Sequence, residues 1–352
     1  MHLPPHRLLA LGLACIGASL LGVTAHAQGC IPARFMAFSL GPDGIVQLRP
    51  GEWQVGASFR YLYADEGWRG TDPWPEYATR TGNQITVITT DFQVTYAFNS
   101  RYSATLTMPY MYGQTSNFVD HGGVRHAVSA KGLGDVRFVA SAWLFEPERH
   151  RNGNISLGLG VKAPTGEQAA TGIFYRPSGP KVLPVDSSIQ PGDGGWGVMI
   201  EAAGFRRLSQ TFYAYANGYY LINPREQNRA HNSGPEGEKG LQHSVPDQYL
   251  GRAGIAVSLG VSRQFTLNLG GRINGLPSRD LMGGSEGFRR PGYAVYYEPG
   301  LSWTDSRNTV SLFVPMRADA NRKRNIYDAR NGTDGGGAFA RYLIVTGFSR
   351  KL

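Results

Sequence analysis

The stretch that decides the fold reads Tyr102-Ser103-Ala104-Thr105-Leu106-Thr107-Met108-Pro109-Tyr110. Tyr102, Ala104, Leu106, Met108 and Tyr110 alternate with Ser103, Thr105 and Thr107. Successive side chains on a strand point to opposite faces, so this segment has one apolar face and one polar face. The same period recurs in both directions along the chain. Val55, Ala57, Phe59 and Tyr61 stand against Gln54, Ser58 and Arg60. Phe138, Ala140 and Ala142 stand against Arg137 and Ser141. Leu157, Leu159 and Val161 stand against Ser156, Gly158, Gly160 and Lys162. Leu267, Leu269 and Ile273 stand against Thr266, Asn268 and Arg272.

Twelve such segments are predicted: 52–63, 83–98, 102–112, 131–145, 154–164, 195–205, 211–222, 246–259, 264–275, 291–303, 309–317 and 338–350. Their connections alternate strictly between short and long. The short links are 99–101, 146–153, 206–210, 260–263 and 304–308. The long ones are 64–82, 113–130, 165–194, 223–245, 276–290 and 318–337. A soluble sandwich has no reason to alternate in this way. A transmembrane barrel does, because its periplasmic turns are short and its outer loops long. Lipid offers no partner to an unpaired N–H or C=O, so a sheet in a membrane must close on itself. The fold predicted is all-β: an up-and-down antiparallel transmembrane barrel of about twelve strands over 51–352. Tyr61 and Tyr63, Tyr110 and Tyr112, and Tyr219 and Tyr220 fall at segment ends, where an interfacial girdle belongs.

Composition agrees. Among 352 residues there are 47 Gly, 21 Pro and 18 Tyr, with only 17% charged and 41% hydrophobic. Gly has no three-residue period, which excludes collagen, and the apolar content is too high for ordinary disorder. No run after the N-terminus approaches the ~18 apolar residues of a spanning helix. Residues 1–27 read as a signal peptide: Arg7, an apolar run over 8–23, and Ala25-His26-Ala27 before Gln28. Removal of that segment takes Cys15 with it and leaves Cys30 without an intrachain disulfide partner. Residues 28–50 then form a leader before the barrel, either packed on the periplasmic side or folded into the lumen as a plug. The net charge, +9 for the full sequence and +8 once residues 1–27 are removed with Arg7, points on an exported chain away from nucleic acid and toward anionic lipopolysaccharide or an anionic solute. Partners expected are outer-membrane lipids and lipopolysaccharide, the barrel-assembly machinery, which reads an apolar C-terminal strand ending here in Leu352, and a small-molecule solute.

Three motifs carry a resemblance. Lys131-Gly132-Leu133-Gly134-Asp135-Val136 opens the fourth segment, Val161-Lys162-Ala163-Pro164-Thr165-Gly166 closes the fifth, and Gly192-Asp193-Gly194-Gly195-Trp196-Gly197 opens the sixth. In this order and spacing they resemble the outer-membrane transporter family named for the MetA pathway of phenol degradation. Glu167 stands where the pattern leads one to expect Asp. The resemblance implies a barrel, and passage of aromatic or other hydrophobic compounds. Read locally, the same residues serve strand curvature and strand-to-loop turns.

In a narrow barrel the polar face points inward. Parity then places Glu52, Arg60, Asp91, Asp135, Arg137, Lys162, Glu201, Arg252, Arg272, Glu298, Arg317 and Arg341 in the lumen. Such charges either line a water path and set ion selectivity, or pair across the lumen and fill it. The loop cations Arg289-Arg290 and Arg322-Lys323-Arg324 read as a grip for anionic lipid or as a solvated face. Catalysis finds little footing. His121, His126, His150, His231 and His243 all fall in predicted loops or turns. His243-Ser244 are adjacent, and adjacent strand residues point apart, so they make a poor nucleophile–base pair. No Gly-x-Ser-x-Gly elbow sits at a strand end. No metal-binding spacing or dinucleotide fingerprint is present, and no cofactor is expected. The function expected is passage of small hydrophobic, aromatic or anionic molecules across the outer membrane. A closed structural or surface-binding barrel is the alternative, and a lipid hydrolase the more distant one.

Overall fold

A computed structural model describes residues 40–41, 44–45, 47–75, 82–117, 123–231, 241–333 and 335–352. The predicted signal peptide, Cys30 and most of the predicted leader lie outside these residues, as does His121. Twelve strands form one antiparallel barrel. They are β1 (Trp53–Arg69), β2 (Gln84–Ala97), β3 (Tyr102–Asn117), β4 (His126–Leu133 continued by Arg137–Trp143), β5 (Gly153–Lys162) and β6 (Gly197–Arg207). The second half comprises β7 (Phe212–Ile222), β8 (Gln248–Leu259), β9 (Phe265–Leu276), β10 (Gly292–Thr304), β11 (Asn308–Phe313 continued by Met316–Arg322) and β12 (Gly337–Lys351). Each strand pairs with its sequence neighbours. β12 pairs with β1 through Leu343↔Leu62, Val345↔Arg60 and Gly347↔Ser58, which closes the sheet.

Period two sorts the side chains as expected. Leu106, Phe138, Leu159, Leu269, Leu301 and Phe348 face away from the lumen and are exposed, while Thr107, Asn217, Asn268, Ser302 and Ser311 face inward and are buried. Large exposed apolar residues ring the whole barrel. A soluble protein does not present such a surface, whereas a lipid-facing wall must. Among the described residues no helix is long and apolar enough to cross a membrane.

Two strands are interrupted, and each break has a chemical cause. Pro315 offers no N–H to the ladder, and β11 breaks there while Val314 N–H donates to Pro299 O at 3.0 Å. In β4 the break falls at 134–136. Val128 and Ala130 point inward before it, Arg137 and Val139 after it, so the parity flips across the break as at a bulge. Above the break, His126–Leu133 pairs only with β3 among the described residues. β5 ends at Lys162, opposite Arg137. The upper wall between β4 and β6 is therefore not closed by strand pairing, and the long loop 163–196 covers it.

That loop also enters the barrel. It carries a hairpin (Thr171–Arg176 with Gly179–Pro184) and a 3-10 turn at Ser187–Ile189. Phe174, Val185 and Ile189 are buried among Leu62, Ile85, Met111 and Leu343 of the wall. Gly113 of β3 makes room: a Cβ there would lie 2.5 Å from Cβ of Ile189. The lumen thus has three levels. The outer half is apolar and plugged by the loop, the middle is a belt of charges, and the periplasmic half carries Ser, Thr and Asn beside Tyr213 and Tyr215.

Candidate functional site

The charges predicted for the lumen largely converge there. Arg60, Asp91, Asp135, Arg137, Lys162, Glu201, Arg252, Arg272 and Glu298 are all buried inside the barrel. Arg60 Nη2 donates to Thr89 Oγ1 at 3.1 Å. Arg137 Nη2 lies 3.6 Å from Asp91 Oδ1. Glu298 is shared: Arg252 bonds one oxygen, and Arg272 Nη1 lies 3.4 Å from the other. The Arg252 guanidinium also stacks 4.9 Å over Phe313. Most of this belt is internally compensated, as buried charges must be.

Arg317 faces inward nearer the outer mouth, bonded to Glu66 and to Phe339 O at 3.0 Å. Two residues depart from the parity reading. Glu52 precedes β1 at the rim and pairs with Arg49. Arg341 sits in an irregularity of the β12–β1 ladder, its side chain 68% exposed and paired with Glu66. The register shift turns it out of the lumen.

The three motifs meet at one point beside the β4 break. Lys162 bonds Asp193 and lies 3.8 Å from Asp135. The Asp135 carboxylate also accepts from Gly166 N at 3.0 Å and Asp193 N at 3.1 Å. Thr165 Oγ1 accepts from Val136 N at 2.9 Å and donates to Gly134 O at 2.8 Å. Gly166 and Gly192 pack backbone to backbone: a Cβ on Gly192 would lie 2.6 Å from Gly166 O. This clasp ties both ends of loop 163–196 to the interrupted wall strand.

Three of the loop cations, Arg289, Arg290 and Arg322, are tied to partners within the barrel mouth, while Arg324 is exposed. Arg289 is fully buried and pairs with Asp280, and Arg290 pairs with Asp186 at 2.6 Å. Arg322 donates to Ala338 O at 2.9 Å and stacks 4.1 Å over Phe339. Asp186 lies 104 residues from Arg290 and Ala338 16 from Arg322, whereas Asp280 stands nine before Arg289 in the same loop; no periodicity announced any of them. Burial raises the Asp186 carboxyl, but the Arg290 guanidinium and the bonds from Ser188 outweigh it and hold the group below the usual carboxylate range. The Arg290–Asp186 pair spans the mouth and holds the plug from the far side.

Between plug and belt lies a cavity of about 80 Å³. Val87, Met111, Met199 and Leu221 supply apolar lining, and Arg60, Lys162, Ser188, Asn228 and His243 polar lining. His243 is buried above the cavity on the strand pair Gln227–His231 with Gln242–Ser244. Its ring and Ser244 do not act as a nucleophile–base pair: Ser244 Oγ accepts from Arg289, and both ring nitrogens lack a hydrogen-bond partner among the described residues. Among those residues no group of three or more His, Cys, Asp or Glu is placed to hold a metal.

No family model matches the chain, and no curated protein matches it. Solved structures do. The COG4313 outer membrane channel from Pseudomonas putida F1 superposes with a TM-score of 0.60 at 11% identity, covering 91% of this chain and 100% of that one. The CymD monoaromatic hydrocarbon channel gives 0.43 at 12% identity over 94% and 97%. A Pseudomonas aeruginosa FadL homologue gives 0.41 at 10% identity over 85% and 90%. With the closed ladder, the first of these likenesses establishes the fold: the chain is a twelve-stranded antiparallel barrel of the outer-membrane type.

Proposed function

We propose that this chain is an outer-membrane channel for small molecules, with apolar and aromatic compounds as its substrate class. The observation that carries this reading is the outer half of the lumen. Leu62, Ile85, Val87, Met111 and Leu343 face inward there, where a porin for hydrophilic solutes carries water-lined polar walls. The resemblance to the MetA-pathway transporter family supports the same class, since its three motifs build the clasp on the plugging loop. An anionic substrate is less well supported, because the belt charges are mostly paired with one another. In this reading the signal peptide exports the chain and the assembly machinery inserts it. Outer-leaflet lipopolysaccharide then surrounds the exposed apolar wall.

A closed structural barrel is the second reading, and the plugged lumen favours it. Uptake of a radiolabelled monocyclic aromatic hydrocarbon separates the two. Cells with an intact lipopolysaccharide leaflet should take it up several-fold faster when they display the folded barrel, with no change for a trisaccharide. Equal hydrocarbon uptake with and without folded barrel would reject the channel.

A further inference from the structure

The two ends of the barrel handle their charges differently. At the outer mouth cations meet carboxylates: Arg289 meets Asp280, Arg290 meets Asp186, and Arg317 and Arg341 share Glu66. The periplasmic end comprises 47–53, 99–101, 144–153, 206–211, 260–264, 304–308 and 350–352. There ten Lys or Arg stand against four Asp or Glu, an excess of six positive charges. Among the described residues the ion pair at this end is Arg49 with Glu52. Arg101, Arg151 and Arg207 reach backbone carbonyls instead, which accept a hydrogen bond without cancelling the charge. Exposed aromatic side chains mark the depth: Trp53, Phe98, Tyr102, Phe145, Phe212 and Phe265 all lie at this end of their strands. Such a girdle sits at the membrane interface, so the cations beside it lie among lipid headgroups.

The cations are densest beside β5 and β6. Arg149 and Arg151 stand in the turn 146–153, and Gly153 at its end pairs with Arg206. All three arginines are exposed. The Arg206 side chain crosses Gly153, where a Cβ would lie 2.9 Å from Arg206 Cδ. Arg206 is on the lipid-facing side of β6, in line with Ala202 and Gly204. Above it the wall is hollowed. Ala202, Gly204, Ala216, Gly218, Gly251 and Ala253 floor a concavity edged by Ile155, Ile200 and Ile273.

We propose that this corner is a binding site for an anionic phospholipid of the inner leaflet, its phosphate held by Arg149, Arg151 and Arg206 and one acyl chain seated in the concavity. Guanidinium forks match phosphate oxygens two at a time, and nine of the ten bases at this end are Arg. A zwitterionic headgroup brings a cation of its own, which the surrounding rim repels. A headgroup with net negative charge is the complement. An acidic periplasmic protein would match the charge but not the apolar concavity directly above it. The site lies outside the wall and is independent of what passes through the lumen.

The test titrates residues 28–352, folded in dodecyl maltoside, with dioleoylphosphatidylglycerol and separately with dioleoylphosphatidylcholine. Native mass spectrometry counts the bound lipid. Wild type should bind the glycerol lipid at least about fivefold more tightly than the choline lipid. With Arg149→Gln, Arg151→Gln and Arg206→Gln together, the phosphatidylglycerol Kd should rise at least about tenfold and the phosphatidylcholine Kd by less than about twofold. Lys at the same three positions should fall between, since it keeps the charge and loses the fork. Ala202→Phe fills the concavity and should raise the phosphatidylglycerol Kd several-fold with every charge in place. Equal wild-type affinity for the two lipids, or an unchanged phosphatidylglycerol Kd in the folded triple Gln variant, would overturn the assignment. An unchanged Kd in Ala202→Phe would overturn the acyl-chain seat. Should the triple variant not fold, Arg206→Gln alone decides: a several-fold rise supports the site, and an unchanged Kd rejects it.

Discussion

Lys162→Met is expected to release loop 163–196 from the barrel wall. Among the described residues Lys162 is the cation bonded to Asp193 and close to Asp135, and its side chain and that of Asp135 are both under 10% exposed. Methionine keeps the length of the side chain and removes the charge. The buried Asp135 and half-buried Asp193 carboxylates then face each other without a cation, a change that costs up to about 3–5 kcal/mol when one partner of a buried pair is lost. The strands of the barrel do not depend on this contact, but the loop ends do. Limited proteolysis of the folded protein should therefore cut within 163–196 at least tenfold faster than in wild type, while heat-modifiable gel mobility still reports a closed barrel. A double replacement of Asp135 and Asp193 by Asn together with Lys162→Met should recover much of the loss, because the uncompensated charges are then gone. Cleavage at the wild-type rate in the single variant would show that the clasp does not hold the loop.

The second large effect is expected at Glu298, in the middle of the belt. Its carboxylate serves both Arg252 and Arg272, and all three side chains are no more than 3% exposed. Glu298→Ala leaves two neighbouring guanidinium groups buried without their shared partner. About 3–5 kcal/mol should be lost from urea-induced unfolding of the protein in lipid vesicles. Arg252 keeps its contact with Phe313, so the loss should be smaller than two independent ion pairs would give. The same variant makes the belt, already one charge positive, more positive still. Any ion current it carries should shift toward anions, as expected when a charged ring loses its acid. Stability within about 1 kcal/mol of wild type would mean that water already solvates these guanidinium groups.

Much of the architecture was legible because one face of every strand had to be apolar. Leu106, Phe138, Leu159 and Leu301 announce their strands by that rule alone, and the alternation of link lengths supplies the order. The strand ends at the outer mouth were less legible. Asp65-Glu66-Gly67 has the composition of a turn, yet it continues β1 because Phe339 and Ala338 pair with Glu66 and Gly67. Gln114 to Asn117 extend β3 for the same reason, with Ser129 to His126 as partners. Tertiary pairing overrides local propensity in both places. The buried charges were legible by parity as long as no register shift intervened. Arg341 was misplaced because an irregularity precedes it in the β12–β1 ladder.

The plug was not legible at all. Ile189, Val185 and Phe174 show no period that marks them as core, because they reach it from an irregular loop over sequence-distant contacts. The clasp left a partial signal. Its glycines were visible as motifs, but nothing local says that Gly134, Gly166 and Gly192 touch. His243 drew notice only through its neighbour Ser244. Its actual distinction, two unpartnered ring nitrogens over a cavity, depends on loops that no periodicity describes.

Single-channel current through residues 28–352 in a planar bilayer, with and without the plug, bears most directly on whether the lumen is a gated path. In the comparison protein a short Gly-Ser linker replaces 170–189 while Lys162, Asp135 and Asp193 remain. Wild type should show small or rare steps, since Phe174, Val185 and Ile189 of the loop fill the outer half of its lumen. The linker protein should show discrete steps at least tenfold larger. Silence from both proteins, each shown to be folded by heat-modifiable mobility, would mean that the belt itself seals the barrel and that no path for solutes runs through it.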